Sequence, residues 1–330
     1  MALKKKIITL DSLQEKYSSK TKYKETEYYD CGKAFSDACG LPGPAKGAIN
    51  MFLGHTNTSK TSAMILSAIS AQKQGDLPVF IITEKKFSWP HAITLGLDAS
   101  LNENGEYQGQ FIFNDSFDYV EQATDFINEL LNAQEKGELP YNLLFCFDSI
   151  GSIPCKMTFE GKGGKQHTAA ALADKIGMGL HSRISKSKKE DYPYYNTMLV
   201  INQPWVEIPD NPYGQPKIKA KGGEALWLAS ALVFLFGNEK NSGISHITAT
   251  KNKRTIAYAT RTKISILKNH INGISFKDGK VIATPHGYIR DEPSAIDSYK
   301  KEHSQYWNAI LGEEGELTLG VDAIPDDVFE

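Results

Sequence analysis

Five short runs of the chain, residues 49–53, 79–83, 143–147, 197–201 and 231–236, are apolar at nearly every position. A strand with one wet face alternates polar and apolar residues, whereas an unbroken apolar run suits a strand covered on both faces, as in a parallel sheet. Residues 62–74, 119–134 and 169–187 lie among these runs and read as helices. Strand and helix therefore alternate, which predicts a doubly wound α/β domain with a mostly parallel central sheet. Such sheets bind ligands beyond the carboxyl ends of their strands.

Two segments are too long for ordinary connections. Residues 154–168 carry Lys156, Lys162 and Lys165 among Gly161, Gly163 and Gly164. Residues 203–223 carry Trp205, Tyr213, Lys217, Lys219, Lys221, Gly222 and Gly223. Each follows the carboxyl end of a core strand, so together they read as a binding surface built of basic loops.

Composition narrows the class. The 330 residues are 41% hydrophobic and 23% charged, ordinary for a globular protein. A net charge of −2 excludes a globally polybasic coat for nucleic acid. No apolar run reaches the roughly 18 residues of a membrane span, and the start lacks a signal-peptide core, so a cytoplasmic protein with no membrane partner is expected. Cys31, Cys39, Cys146 and Cys155 form no C-x-x-C pair, so neither a disulfide nor a structural zinc is expected. The ends are oppositely charged: seven lysines lie in residues 1–24, and seven carboxylates without Lys or Arg in residues 313–330. These are either solvated tails or contacts for an acidic polymer or a neighbouring subunit.

The chemistry concentrates after the first apolar run. Gly54, His55, Thr56, Asn57, Thr58, Ser59, Lys60 and Thr61 read G-x-x-x-x-S-K-T, one residue from the phosphate-loop pattern G-x-x-x-x-G-K-[ST]. Backbone N–H groups at a helix start cradle phosphate oxygens, Lys60 neutralises their charge, and the Thr61 hydroxyl ligates Mg²⁺, so ATP with Mg²⁺ is the expected ligand. Ser59 stands where positive φ favours glycine. Asp148 ends the run at 143–147 and reads as a second metal ligand, on the strand next to the loop. Glu84 follows the run at 79–83 and is either an exposed acid beside Lys85 and Lys86 or a group that orients and deprotonates water.

The order of these parts resembles the RecA/recombinase family over about residues 32–275. Residues 32–47 resemble its lead into the phosphate loop, and 82–84 with 95–98 the segment bearing its catalytic glutamate. Residues 148–154 are similar to the metal strand and its exit into the first DNA-binding loop, within which Glu160, Gly161 and His167 also match. Residues 200–203 resemble the strand whose terminal glutamine, here Gln203, senses the γ-phosphate; 222–226 resemble the exit of the second DNA-binding loop. Lys251 and Lys253, with Arg254 in reserve, look like the basic pair that reaches ATP on the adjacent subunit. The loop without its second glycine, the length and the charged ends resemble the phage-encoded branch.

The resemblance implies a DNA-dependent ATPase that polymerises on single-stranded DNA as a helical filament, pairs it with homologous duplex DNA and exchanges strands. Its implied parts are an N-terminal basic oligomerisation segment (1–35), an ATPase core (36–285) and a C-terminal region with an acidic tail (286–330). Residues 324–330 also resemble tails that recruit partners, so a single-strand binding protein or loader is a further expected partner; the location would be the cytoplasm or nucleoid of a bacterial host. The competing expectations are a hexameric helicase or translocase of the same fold, and a non-hydrolysing DNA-binding mediator.

Overall fold

The computed structural model describes residues 13, 15–16, 25–186, 193–207, 217–221, 223–238, 241–251, 254–276 and 279–305. In chain order the elements begin with α1 (Lys33–Cys39), β1 (Ile49–Gly54), α2 (Lys60–Lys73), β2 (Leu77–Ile82), α3 (Trp89–Leu95), β3 (Ser100–Leu101), β4 (Tyr107–Gln108), β5 (Ile112–Asn114), α4 (Val120–Glu135) and β6 (Leu143–Asp148). Next come α5 (Lys156–Phe159), α6 (Lys165–Leu172), a π-helical stretch (Ala173–Leu180), α7 (His181–Lys186), β7 (Thr197–Asn202), β8 (Pro204–Glu207), β9 (Lys217–Ala220), α8 (Gly223–Ala229) and β10 (Ser230–Phe236). The described chain closes with β11 (Ser245–Lys251), β12 (Arg254–Asn269), β13 (Lys280–Thr284), β14 (Gly287–Arg290) and α9 (Pro293–Glu302).

All five apolar runs form parallel strands. The large sheet has the order β14-β13-β12-β10-β1-β7-β6-β2-β5, with β11 paired to β12. β10, β1, β7, β6, β2 and β5 run parallel to one another, while β11 to β14 pair antiparallel. β1, β2, β6 and β7 are buried at every position. Their alternate residues feed two cores, because successive side chains leave a strand on opposite faces. Phe52, Phe80, Cys146, Leu199 and Phe234 face the side of α1, α2 and α3, where Phe52 lies 5.0–6.5 Å from the rings of Phe35, Phe234 and Phe236. Met51, Val79, Phe145, Val200 and Val233 face Val120 and Ile127 of α4, Ile176 and Leu180 of the π-helical stretch, and Leu226 of α8.

Three expectations are corrected. The strand beside β1 on the metal-ligand side is β7, so Asp148 on β6 sits two strands from the phosphate loop rather than on the adjacent one. The segment 154–168 is not all loop: α5 and the start of α6 lie inside it, and that helical rod starts at Lys165 instead of 169 and changes to π pitch at Ala173. The base of the segment 203–223 is a two-stranded antiparallel ribbon, with Trp205 opposite Lys219 and Glu207 opposite Lys217. No helix among the described residues is long and apolar enough to cross a membrane.

Candidate active site

The loop after β1 turns where its sequence leaves no room for a side chain. A Cβ on Gly54 would stand 2.5 Å from the Phe236 carbonyl oxygen of β10 and 2.8 Å from Thr58 Oγ1. Asn57 (φ 61°) and Ser59 (φ 65°) both take left-handed conformations, which turn successive N–H groups toward one concavity. Ser59 is the N-cap residue of α2 but makes no side-chain capping hydrogen bond. The first-turn N–H groups of a helix carry partial positive charge and suit an anion.

Lys60 is buried in the loop it serves. Its ammonium donates to the His55 carbonyl at 2.6 Å and to Thr58 Oγ1 at 3.3 Å, while the Thr58 hydroxyl donates to the same carbonyl at 2.8 Å. Burial pulls the Lys60 ammonium down to about 8, against the opposing pull of the Asp148 and Glu84 charges. Burial pushes the Asp148 carboxyl up to about 6; Glu84 adds to that rise, while the Thr61 hydrogen bond and Lys60 oppose it. Each charge is held where water solvates it poorly, so a cation at the carboxylate and an anion at the ammonium would both be stabilised there.

The remaining acids converge on this point. Thr61 Oγ1 donates to Asp148 Oδ2 at 2.8 Å, so a hydroxyl and a carboxylate form one hard oxygen donor set, the kind Mg²⁺ prefers. The peptide joining Asp148 to Ser149 is cis. Ser149 Oγ donates to Glu84 Oε1 at 2.5 Å. Thr83 fastens the β2 exit to the β6 exit: its N–H donates to the Asp148 carbonyl at 2.8 Å and its hydroxyl to the Ser149 carbonyl at 2.7 Å. Thus Gly54 to Thr61, Glu84 and Asp148 lie together at the carboxyl ends of β1, β2 and β6, although they come from three separate stretches of sequence.

Gln203 leaves the end of β7, between β1 and β6, and is half-buried. Its N–H donates to Asn202 Oδ1 at 2.8 Å, and Asn202 Nδ2 donates to the Lys221 carbonyl at 2.7 Å. Lys221 Nζ in turn donates to the Gly151 carbonyl at 3.2 Å, just beyond Asp148 and Ser149. The β8–β9 ribbon is therefore tied at its base to both the β7 and β6 exits. Lys221 was expected among the DNA contacts, but its ammonium is engaged inside the protein.

The other predicted contacts are more dispersed. Lys156 is exposed at α5, with its ammonium 5.9 Å from the Tyr119 ring centroid. Lys162 is exposed and pairs with Glu160 at 2.8 Å. Gly161 has φ 72°, and His167 Nδ1 accepts from the Gly164 N–H at 3.1 Å. Lys165 begins α6, Trp205 lies on β8, Lys217 and Lys219 on β9, and Gly223 begins α8. Lys251 ends β11 opposite Arg254 of β12. Tyr213, Gly222 and Lys253 lie outside the described residues, as do the N-terminal lysines except Lys16, and the acidic tail. All four cysteines are buried thiols.

Sequence reasoning passed over Ser149, Asn202 and Tyr288. Ser149 and Asn202 directly adjoin residues already singled out, Asp148 and Gln203, and a polar residue closing an apolar strand was a usable signal. Tyr288 gave none; its phenol meets Ser59 from the opposite end of the chain, at 2.7 Å from the carbonyl.

No protein-family profile matches the chain. Curated relatives do. Protein RecA of Mesoplasma florum is 26% identical over 242 residues, 73% of this chain and 62% of that protein. Protein RecA of Nitratidesulfovibrio vulgaris is 25% identical over 236 residues, 71% and 57% of the two chains. Protein RecA of Streptomyces rimosus is 24% identical over 279 residues, 78% and 64%. The chain thus spans about three fifths of the length of the curated relatives it matches. The chain is thus similar to RecA proteins, and its mostly parallel sheet sets a lysine-bearing phosphate loop, an aspartate and a glutamate at one carboxyl edge.

Proposed function

We propose that this protein is a DNA-dependent ATPase that assembles on single-stranded DNA as a helical filament, pairs it with homologous duplex and exchanges strands. The observation that carries the reading is the convergence of Lys60, the Thr61–Asp148 pair at 2.8 Å and the Ser149–Glu84 pair at 2.5 Å around one loop. The loop amides and Lys60 would hold the β- and γ-phosphates of ATP. Thr61 and Asp148 would hold Mg²⁺, which when bound supplies charge neutralisation at those phosphates. Glu84, aimed by Ser149, would take a proton from a water as its oxygen bonds to the γ-phosphorus and the bond to the β–γ bridging oxygen breaks, leaving ADP and phosphate. That is general-base work, and it requires only that the carboxylate stay within hydrogen-bond reach of the water.

The DNA would lie against α5, α6 and the β8–β9 ribbon, whose lysines would replace condensed counterions; Trp205 and Tyr213 are the residues we assign to stacking on bases. Gln203 and Asn202 join that ribbon to the nucleotide side. Residues 254–259 of β12 pair only with β11, an arm about 20 Å long at the usual rise per residue. Since Phe236, the last residue of β10, pairs with Ile264, this arm projects past the carboxyl edge of the sheet. Such a reach suits Lys251 and Lys253 acting on ATP held by the next subunit. We also place the protein in the phage-encoded branch, on Ser59, and in the host cytoplasm; a single-strand binding protein or loader is the further partner the acidic tail suits. Phosphate release from ATP, measured with and without single-stranded DNA, tests the assignment. DNA should stimulate it and Lys60→Ala should abolish it, whereas unchanged turnover in Lys60→Ala would remove the loop from the reaction.

A further inference from the structure

Ser59 stands at the glycine position of the phosphate loop with φ 65° and ψ 22°, a left-handed conformation in which a Cβ crowds the backbone. Its support comes from β14. Tyr288 Oη donates to the Ser59 carbonyl at 2.7 Å and lies 3.1 Å from Ser59 Oγ. The serine hydroxyl donates to the Thr58 carbonyl at 2.6 Å, which leaves Ser59 Oγ an acceptor; of the two acceptors that face the phenolic hydrogen, the Ser59 carbonyl is the nearer. That oxygen also accepts the Ala63 N–H at 3.1 Å, within the first turn of α2.

The phenol is itself held firmly. Its ring packs on Phe35, 5.9 Å between centroids, and Arg290 on the same strand pairs with Asp37 of α1. A trans peptide is planar, with C=O and N–H pointing in opposite directions. Fixing the Ser59 carbonyl toward Tyr288 therefore fixes the Lys60 N–H toward the other side, into the concavity of the loop.

We propose that Tyr288 is a positioning residue for the phosphate loop: it holds the Ser59–Lys60 peptide in the orientation that binds phosphate and thereby makes serine workable where the loop pattern has glycine. A glycine needs no such tie, since it takes the left-handed conformation freely. The Ser59–Tyr288 pair is then one device, and the last strand of the sheet becomes part of the nucleotide site. This rests on the loop binding nucleotide.

Tyr288→Phe removes the hydroxyl and keeps the ring, so the test compares it with the parent in two backgrounds, Ser59 and Ser59→Gly. With a fluorescent ATP analogue and Mg²⁺, Tyr288→Phe should weaken binding about three- to tenfold when Ser59 is present, the worth of one hydrogen bond, and less than about twofold when residue 59 is glycine. Amide hydrogen exchange at residues 55–61, measured without nucleotide, should quicken in Tyr288→Phe and do so less in the glycine background. An equal loss in both backgrounds, or no loss and no change in exchange with Ser59 present, overturns the proposal. Should the parent chain bind no ATP, the nucleotide reading fails, and the exchange comparison alone decides the tie: equal rates in parent and Tyr288→Phe overturn it.

Discussion

Two carboxylates of the site are separated by their hydroxyl partners. Asp148 is taken by Thr61 and Glu84 by Ser149, and under the proposed function the first would hold the metal ion and the second the water. Glu84→Gln keeps the size and the Ser149 contact but loses the basicity; turnover should fall roughly 10²- to 10⁴-fold while nucleotide and DNA binding persist. Filaments formed with ATP should then outlast those of the unaltered chain, since only hydrolysis would open them. Asp148→Asn should instead weaken Mg²⁺-dependent assembly itself. Single-turnover phosphate release beside filament lifetime by light scattering separates the two; normal turnover in Glu84→Gln would take that residue out of the chemistry. At this scale much was legible, because the loop pattern fixes which residue must take positive φ, and Ser59 does so at 65°. What was not legible is the support: no local spacing connects Ser59 to Tyr288, 229 residues away.

Among the elements, those buried on both faces were the ones the sequence announced. β1, β2, β6, β7 and β10 are nearly unbroken apolar runs because helices cover both sides of them. β12 to β14 carry polar residues such as Arg261 and Lys263 between apolar ones, and β11 has an irregular register at Ile247, so none of these strands stands out as an apolar run. The order of strands was hidden too, since pairing β7 between β1 and β6 depends on the crossovers and not on any one segment. The same holds for the lysines: spacing cannot tell a lysine facing DNA from Lys221, which bonds the Gly151 carbonyl. This difference is measurable. Each phosphate contact to a single strand adds about 0.7 to the slope of log affinity against log salt. Lys156→Ala should lower the slope by about that amount, whereas Lys221→Ala should weaken binding with the slope unchanged. A slope that falls equally in both would return Lys221 to the DNA contacts.

At the scale of the whole molecule, the sheet gathers the nucleotide residues at one edge, and the ribbon and arm extend from that same edge. β14, the outermost strand on one side, reaches back to the phosphate loop through Tyr288, so an edge strand as well as β1 takes part in holding it. Under the proposed function the β11–β12 arm, with Lys251 near its tip, would act on another copy standing within its reach. Filament assembly is therefore the central claim, and negative-stain imaging of the protein on single-stranded DNA with Mg²⁺ and a non-hydrolysable ATP analogue tests it most directly. The account predicts continuous helical filaments that require the nucleotide and vanish in the Lys60→Ala variant. Closed rings, or isolated particles along the DNA regardless of nucleotide, would contradict it.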